Sequence, residues 1–379
     1  MLLNEQQAAV RDMAREFARK EIVPFAAQWD RDEKVPSGVL ERMGKLGLMG
    51  VCVPEQWGGA GADFVSYVSA MEAIAYGDAG LANMMAATNS PVAAGLLAFG
   101  NDDQKERFLR PLASGKSISA FLLTEPHAGS EAGNLRTRAE QTNKGYVLNG
   151  TKSFITAGET AEIAMILAVT DPAAGKAGIS CFMASTKNPG YIVARREKKL
   201  GHRSCDTCQI VLENLVVPAA DLLGRPGDGL KIALSSLDSG RVGVAAQSVG
   251  VAQAAFDAAL RYSRERVTFG KPIIEHQAIG FQLAEMATKI EVARQMYLHV
   301  AALKDLGRKC IKEASMAKLF ASEMVEEVTS AAIQIHGGYG FLNDYPVEKF
   351  YRDMRVFKIY DGTSEVQKML IARELQKQQ

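Results

Sequence analysis

Hydrophobic periodicity changes twice along this chain, and that change constrains the possible folds more than any other feature of the sequence. Over residues 1–116, apolar residues recur at three- and four-residue spacing, as at Val10 and Met13, which predicts helices. Residues 117–229 follow a period of two interrupted by turn residues, which predicts strands. The helical period returns over residues 230–379. We therefore predict a mostly α-helical protein with a central β domain, in three domains with these boundaries.

The N-terminal region carries local signals for the ends of its helices. Asn4 lies three residues before Gln7, a spacing typical of a capping box, and Pro24 ends or kinks the helix that follows. The apolar segments Phe64–Tyr76 and Leu81–Phe99 predict buried helices. We expect these elements to pack as one helical domain.

Strand-forming segments separated by turn residues fill the middle region. The candidate strands are Ser119–Leu123, Tyr146–Leu148, Ile163–Val169, Gly178–Met183 and Gln209–Leu212. Turn signals such as Asn188-Pro189-Gly190 separate them. We predict a compact antiparallel β domain, and a barrel is one arrangement that the pattern permits.

Four long amphipathic segments in the C-terminal region predict a helix bundle. They span Leu230–Arg266, Gln277–Leu306, Lys312–His336 and Ser364–Gln376. Many of their uncharged residues are alanine, which permits close contact between helices of this chain or with those of a second chain. No GxGxxG motif follows a predicted strand, so the sequence argues against a doubly wound dinucleotide-binding fold.

The charge balance and the cysteines exclude several classes of protein. The formal net charge is +1, so no overall field favours a nucleic acid or an anionic membrane as a partner. The five cysteines are scattered and odd in number, which does not fit a disulfide framework and favours a reducing compartment. Cys205 and Cys208 form a CxxC motif, but no second CxxC accompanies it, and we expect no bound metal.

The hydropathy of the chain gives no signal for a membrane protein. No basic segment followed by an apolar run starts the sequence, which argues against a secretory signal. No apolar run reaches the roughly 20 residues that span a bilayer, and the most apolar one, Ile163–Val169, has the length of a strand. We therefore expect a cytoplasmic protein of bacterial type.

Three glycine-containing turns are candidate ligand sites. The turn at residues 124–130 follows a predicted strand, and its small and hydroxyl residues would expose backbone N–H groups to a phosphate or a flavin. Phe154 and Thr156 share one strand face, and the glycines of residues 337–340 close a helix. Each turn has an ordinary alternative, namely a capped turn, a core position and a glycine helix cap.

A fourth candidate site lies at Asp361, just before the last predicted helix. Thr363 or Ser364 can cap that helix, which would leave the Asp361 carboxylate free to face a cleft. The alternative is that the acid belongs to a capping box.

These four sites together resemble one family. Its motifs are Leu123-Thr124-Glu125-Pro126-x-Ala128-Gly129-Ser130, Arg266-x-x-Phe269-Gly270, Gln334-Ile335-x-Gly337-Gly338-x-Gly340 and Tyr360-x-Gly362-Thr363-Ser364. With the stretch from Gly201 to Pro218, they resemble the acyl-CoA dehydrogenases over about residues 4–376. The resemblance implies a helical N-terminal domain, an antiparallel β-barrel middle domain and a C-terminal four-helix bundle, assembled as a homotetramer.

The resemblance also assigns residues to FAD, which would lie at a subunit interface. Ser130 would face the pyrophosphate, Phe154 would stack near the flavin ring, and Thr156 would hydrogen-bond near N5. Further contacts in the same subunit would be Phe121, Leu123 and Thr124. The residues that would reach a neighbouring subunit's FAD are Arg266, Phe269, Gln277, Gln334 and Gly338. Thr363 and Glu365 would lie near the nucleotide half, although relatives often carry Gln in place of Glu365.

An acyl-CoA thioester is the implied substrate, and an electron-transfer flavoprotein is the implied electron acceptor. Asp238 and Arg241 match positions that bind CoA, with a helix-surface charge as the alternative for Arg241. Ser130, Ser204 and Gly362 would also contact the substrate.

The catalytic base departs from the family pattern. The family most often carries Glu where Asp361 stands, and some members carry it where Gly240 stands. Since glycine cannot accept a proton, Asp361 is the candidate that would remove the α-proton while the β-hydride passes to flavin N5. The backbone N–H of Asp361 and a ribityl hydroxyl of FAD would hold the thioester carbonyl.

The choice of aspartate bears on the substrate. Aspartate reaches about 1.3–1.5 Å less far than glutamate, so we expect a branched or alicyclic acyl group such as that of cyclohexanecarboxyl-CoA. A degenerate base in an enzyme of low activity is the alternative. No Arg or Lys lies between Gly80 and Gly100, where glutaryl-type enzymes carry a cation, so we expect no dicarboxylic substrate.

Three other functions stay open at the level of sequence. A flavin oxidase of the nitroalkane-oxidase kind uses Asp at this position, although the CoA-like Asp238 and Arg241 argue against it. An enoyl-CoA reductase would run the same reaction backwards. A non-enzymatic helical scaffold would bind no flavin.

Overall fold

The N-terminal helices begin at the predicted capping pair in a computed structural model that describes residues 2–377. The Asn4 side chain accepts a hydrogen bond from the Gln7 backbone N–H, and the Gln7 side chain accepts one from the Asn4 backbone. The first helix and its π-helical extension end at Ile22, before Pro24, as predicted. The helices of this region are α1 (Glu5–Phe17), α2 (Ala26–Asp32), α3 (Ser37–Lys45), α4 (Phe64–Gly77), α5 (Ala79–Ala87), α6 (Ala94–Phe99), α7 (Asp102–Gln104) and α8 (Arg110–Ala113).

The predicted helix over Leu81–Phe99 is wrong as a continuous element. It divides into α5 and α6, which are joined by a π-helical segment with an extended residue, Ser90, at φ −148° and ψ 115°. Ser90 precedes Pro91, whose ring disfavours the helical conformation in the residue before it. The interruption therefore follows from one proline that hydrophobic periodicity does not register.

The middle region forms one sheet with mixed strand directions. Its strands are β1 (Ser119–Leu122), β2 (Arg138–Thr142), β3 (Gly145–Thr156), β4 (Ile163–Val169), β5 (Ile179–Ser185), β6 (Tyr191–Arg196), β7 (Thr207–Val217) and β8 (Leu222–Leu223). Hydrogen bonding follows the order β6-β7-β3-β2-β4-β5-β8, an open path, so the predicted barrel is not confirmed. The purely antiparallel prediction is wrong because β1 enters from the helical region and pairs parallel to β4.

The C-terminal region confirms the predicted long helices almost to the residue. They are α9 (Gly229–Glu265), α10 (Gln277–Asp305), α11 (Ile311–His336), α12 (Val347–Met354) and α13 (Ser364–Gln376). A short hairpin of β9 (Val267–Thr268) and β10 (Lys271–Pro272) joins α9 to α10. Helix α9 packs against α10, α11 and the N-terminal α4, and residues 241–252 are buried on every side. One apolar core therefore runs through both helical regions.

Candidate active site

Asp361 lies in a tight turn that leads into α13, with its backbone in an uncommon conformation. Its φ is 51° and that of Gly362 is 91°, so two consecutive residues are left-handed. Glycine adopts this conformation freely, whereas other residues do so at a cost and are concentrated at functional sites. The turn directs the Asp361 side chain toward α9, where a Cβ atom added to Gly240 would lie 2.8 Å from Oδ2. The two positions from which a base could act thus meet in space.

Two side chains hold the carbonyl groups of this turn. Gln367 Nε2 donates to the carbonyl oxygens of Asp361, at 3.2 Å, and of Gly362, at 2.8 Å. Lys318 of α11 donates from Nζ to the same Gly362 oxygen at 2.8 Å. The backbone N–H of Asp361 donates to no group within residues 2–377. It is therefore available to a ligand carbonyl.

Burial and two cations set the charge of Asp361. Burial raises the pKa of its carboxyl above the ordinary value, and the positive charges of Lys318 and Arg241 oppose that rise. Lys318 is itself completely buried, and burial lowers its pKa to about 8. Lys318 was not predicted from the sequence. Its detectable signal is a lysine within the alanine-rich inner face of α11.

Arg241 occupies an enclosed part of α9. Only 7% of the residue is exposed, so the alternative that it is a helix-surface charge is wrong. Nη1 donates to the Asp238 carboxylate, while Nε is buried without a partner among the residues described. A buried guanidinium N–H without an acceptor is unfavourable, which makes this atom suited to a carbonyl or anionic group of a substrate.

The predicted flavin contacts on β3 lie where that strand leaves the regular sheet. The register between β3 and β7 shifts between Lys152 and Ile155. Within the shift, Phe154 has a φ of 58° and is 69% exposed. An exposed aromatic face on a strained backbone suits a flat apolar ligand. Thr156 lies two residues further on, and its hydroxyl accepts a hydrogen bond from Asn83 of α5 at 3.3 Å. This neighbour was not predicted from the sequence.

The turn after β1 is supported by a buried ion pair, which was also missed. Lys152 Nζ lies 2.8 Å from Glu125 Oε1 and donates to the Leu123 carbonyl at 3.2 Å. Glu125 also accepts hydrogen bonds from the backbone N–H groups of Arg136 and Thr137. Burial lowers the pKa of Lys152 to about 8, although the charge of Glu125 opposes the shift. The pair fixes the backbone of a segment predicted to contact flavin.

The outer face of this turn is open. The Ser153 N–H donates to the Thr124 carbonyl at 2.9 Å and so holds the turn beside Phe154. Apart from its chain neighbours, a Cβ added to Gly129 would meet no atom of residues 2–377 within 4 Å. Of the residues predicted to contact FAD here, Leu123 is buried, Phe121 and Thr124 are half-buried, and Ser130 is exposed. Their contact with FAD stays a prediction.

A cleft of about 520 Å³ lies between the end of α11 and the β9–β10 hairpin. The cleft is lined by three of the residues predicted to reach the FAD of a neighbouring subunit, namely Arg266, Phe269 and Gly338. Phe269 is 96% exposed at the hairpin tip. Gln277 and Gln334 are exposed but do not line the cleft, so only part of this group is brought together. No middle-domain residue lines the cleft either, and the two predicted FAD groups are therefore separate on one chain.

The remaining predicted residues are mostly engaged within the fold. The Thr363 hydroxyl caps α13 by accepting a backbone N–H at 3.3 Å, as predicted, and leaves Asp361 out of the cap. Glu365 is exposed on the first turn of that helix. Ser204 is buried, and its hydroxyl donates to Asp78 at 2.6 Å. Its contact with pantetheine stays a prediction.

The described part of the chain contains neither a cluster of metal ligands nor a membrane-spanning helix. No group of three or more His, Cys, Asp or Glu side chains between residues 2 and 377 is arranged to hold a metal ion. Over the same part of the chain, no helix has both the length and the apolar character needed to cross a bilayer. Cys205 and Cys208, which form the CxxC motif, are free and buried.

Comparison with known proteins assigns nearly the whole chain. Models of the N-terminal, middle and C-terminal domains of acyl-CoA dehydrogenases match residues 4–116, 120–215 and 227–376. An acyl-CoA dehydrogenase of Bacillus subtilis is 46% identical, and the match covers 99% of both chains. The caffeyl-CoA reductase-Etf complex subunit CarC of Acetobacterium woodii is 42% identical over 100% of both. The solved structure of butyryl-CoA dehydrogenase from Megasphaera elsdenii superposes with a TM-score of 0.97 at 39% identity, covering 99% of both.

The fold, the site and these matches define a flavin-dependent oxidoreductase that acts on CH–CH donors. The chain belongs to the acyl-CoA dehydrogenase family, and its members are FAD-dependent flavoproteins. The predicted family and cofactor are thus confirmed. The residues present fit FAD, because Phe154 offers an exposed aromatic face beside the Thr156 hydroxyl and the open turn at residues 124–130.

Proposed function

We propose that this protein removes an α-proton and a β-hydride from an acyl-CoA thioester, with Asp361 as the base and an enoyl-CoA as the product. The observation that carries this proposal is the Asp361 carboxylate, which lies against Gly240 and is influenced by the charges of Lys318 and Arg241. FAD, when bound, supplies the hydride acceptor.

The chain around Asp361 supplies what α-proton removal requires. An α-proton beside a thioester is weakly acidic, so its removal needs a positioned carboxylate and hydrogen bonds to the carbonyl oxygen. Lys318 and Arg241 favour the ionised form of Asp361, which is the form that accepts a proton. The Asp361 backbone N–H, which has no acceptor within residues 2–377, would donate to the thioester carbonyl.

A CoA thioester suits the site better than a nitroalkane does. Arg241 and Asp238 are paired on α9, with the Nε atom of Arg241 buried and without a partner among the described residues. This N–H can donate to a carbonyl or phosphate oxygen of the CoA moiety. A small nitroalkane would leave the predicted CoA-binding residues without a role.

We propose a branched or alicyclic acyl group, for example that of cyclohexanecarboxyl-CoA. Aspartate reaches about 1.3–1.5 Å less far than glutamate, and a misplaced base lowers the rate steeply. A branch or ring at the α-carbon would fill the space that the shorter side chain leaves. Gly240 adds no side chain that would compete for this space.

An anaerobic flavin-bleaching assay with a panel of acyl-CoA thioesters tests the substrate proposal. We expect cyclohexanecarboxyl-CoA to bleach the flavin about tenfold faster than butyryl-CoA, because only the bulky substrate brings C2 within reach of the base. A clear preference for butyryl-CoA would contradict the proposal. Asp361→Glu is the matched variant, and its longer side chain should shift the rate ratio toward butyryl-CoA.

The electron partner we propose is an electron-transfer flavoprotein. The A. woodii relative is named as a subunit of a reductase-Etf complex, and at 42% identity it is a full-length match. The same name supports a second candidate function, an enoyl-CoA reductase that runs the reaction in reverse. Measuring the rate of acyl-CoA oxidation with an oxidised carrier, and the rate of enoyl-CoA reduction with a reduced carrier, separates the two directions.

We propose that the active form is a homotetramer. The residues predicted to contact FAD form two groups, one around Phe154 and one around the cleft of Arg266 and Phe269, and no residue of the first group lines the cleft. An exposed aromatic at each place supports contact with a cofactor shared between copies of the chain. Light scattering of the FAD-loaded protein tests this assembly, and a monomer with full FAD content would contradict it.

A cytoplasmic location is the simplest proposal for the protein. Its five cysteines are free thiols in the described part of the chain, four of them buried, which suits a reducing compartment. Fractionation of the source cells would test this location.

A further inference from the structure

Lys318 is a buried cation whose role is not explained by packing. It lies beside the turn at Asp361 and Gly362, which we call the base turn. We propose that Lys318 is a positioning residue, which holds the Asp361–Gly362 turn and supplies the positive charge that keeps the Asp361 carboxylate ionised. This inference rests on the proposed role of Asp361 as the base. Lys318 would act on the reaction through Asp361 rather than through the substrate.

The side chain of Lys318 connects α11 to the base turn. Its Nζ atom donates to the Gly362 carbonyl at 2.8 Å, one residue beyond the base. Gln367 Nε2 donates to the same oxygen at 2.8 Å, so two donors from two helices hold this carbonyl. Because Asp361 and Gly362 are both left-handed, the turn depends on such support to keep its conformation.

Packing alone does not account for a lysine at this position. Lys318 is wholly buried, and the inner face of α11 around it is lined by Ala314, Ala317 and Ala321. A methionine would occupy the same space without the free-energy cost of burying an ammonium group. Within residues 2–377, Nζ donates one hydrogen bond, to a carbonyl that a neutral donor could also satisfy. The charge itself therefore needs a separate explanation.

The surrounding charges identify Asp361 as the group that responds to this lysine. The titratable groups around the two residues are Tyr67 of α4, Asp238 and Arg241 of α9, Tyr360 next to the base, and Glu365 of α13. Asp238 is paired with Arg241, and burial raises the pKa of both tyrosines, which stay neutral. Among the charges, Asp361 has the largest effect on the pKa of Lys318 and raises it.

The two groups define a pH window for the active form. Burial raises the pKa of Asp361 above its ordinary value and lowers that of Lys318 to about 8. Below the window Asp361 becomes protonated, and above about pH 8 Lys318 loses its charge. We therefore expect kcat/KM to fall on both sides. It falls on the acid side because Asp361 is protonated, and on the alkaline side because a neutral Lys318 amine holds the Gly362 carbonyl more weakly than the ammonium group does.

The pH dependence of kcat/KM in Lys318 variants of the FAD-loaded enzyme tests this role. Lys318→Met has no ammonium group at any pH, so its kcat/KM should already be lowered at neutral pH and the alkaline limb should disappear. Its acid limb should also move up by about one pH unit, which lowers activity at the acid end by about a further tenfold. In Lys318→Arg, which keeps a charge that does not titrate, the acid limb should stay and only the alkaline limb should disappear. Lys368→Met, which removes an exposed lysine of α13, should reproduce the parent profile.

The outcomes separate a positioning role from a structural one. An equal loss of activity at every pH in Lys318→Met, with both limbs unmoved, would overturn the proposal. If Lys318→Met fails to fold, Lys318→Arg decides, since an alkaline limb that persists near pH 8 in that variant would overturn it. Asp361→Asn distinguishes failure of the proposed function from failure of this inference. If Asp361→Asn is active, the proposed function is wrong. If it is inactive and the pH profiles of the Lys318 variants match that of the parent, only this inference is wrong.

Discussion

Gly240 and Asp361 are complementary in shape at the scale of single residues. Apart from its chain neighbours and the backbone of its own helix, the described atoms within 4 Å of a Cβ added at Gly240 all belong to Asp361, and the nearest, Oδ2, would be 2.8 Å away. A contact that short must be relieved, and the Asp361 side chain is the group that can move. A side chain at position 240 would therefore displace the base and disturb little else.

Gly240→Ala should change activity and stability in opposite directions. We expect kcat/KM to fall about tenfold because the base is misplaced, whereas the free energy of unfolding should rise by up to about 1 kcal/mol because alanine favours the helix. Steady-state kinetics and urea denaturation of the same preparation measure the two effects.

Gly243→Ala, three residues further along α9, is the matched control. A Cβ there would lie 3.5 Å from the Tyr67 hydroxyl, which is an ordinary contact distance. This variant should gain similar helix stability and keep kcat/KM within about twofold of the parent. An equal loss of activity in both glycine variants would show that the contact with Asp361 is not the cause.

The proposed base could be predicted from the sequence, but the residues that support it could not. Asp361 was a candidate because it lies two residues before the helix cap, and its role as the base came from the resemblance to the acyl-CoA dehydrogenases. Lys318 and Lys152 were missed because their partners, Gly362 and Glu125, lie 44 and 27 residues away along the chain. Pairings at such separations depend on tertiary packing, which a local pattern does not contain.

Secondary structure was predicted best where one periodicity extends over many residues. Helices α9, α10, α11 and α13 agree with the prediction to within one residue at every boundary. Strand β3 was predicted far too short, since the candidate strand Tyr146–Leu148 stops just before Asn149-Gly150, a pair with the composition of a turn. In the structure Gly150, at φ 158°, accompanies a register shift within a continuous strand. Local composition thus failed where a bulge resembles a chain reversal.

At the element scale, the Lys152–Glu125 pair connects β3 to the turn after β1, and its loss should release FAD. Lys152→Met leaves a buried carboxylate without its cation, which should lower the free energy of unfolding by about 3–5 kcal/mol. The turn would lose its support, and we expect the protein to lose most of its FAD on purification. Visible absorbance per protein and equilibrium denaturation provide the two readings.

The double variant Glu125→Gln with Lys152→Met is the control for this prediction. It removes both charges, so much of the lost stability should return, because no unpaired buried charge is left. If Lys152→Met alone kept its full FAD content and its stability, the supporting role of the pair would be wrong.

At the scale of the whole molecule, the N-terminal and C-terminal helices behave as one body. Glu72 of α4 accepts hydrogen bonds from Arg294 and Tyr297 of α10, and α4 packs along α9. The base turn contacts α9 and α11 of this body. Asn83 of α5, which belongs to the same body, donates a hydrogen bond to Thr156 of the sheet. The base and the predicted flavin contacts are therefore held by a common core.

Phe269→Asp tests whether the exposed hairpin tip contacts another copy of the chain. Phe269 is 96% exposed, and a charge there should weaken an apolar interface. We expect a smaller assembly by light scattering together with a loss of FAD. Phe269→Tyr keeps the aromatic ring and should preserve both. An Asp variant with unchanged size and flavin content would place the interface elsewhere.

The central claim is that Asp361 is the base, and the most direct measurement is anaerobic flavin bleaching by acyl-CoA in Asp361→Asn. Asparagine keeps the size of the side chain and cannot accept the proton. We predict that this variant keeps its FAD and binds cyclohexanecarboxyl-CoA, but bleaches roughly 10²–10⁴-fold more slowly than the parent. Bleaching at the parent rate would contradict the account.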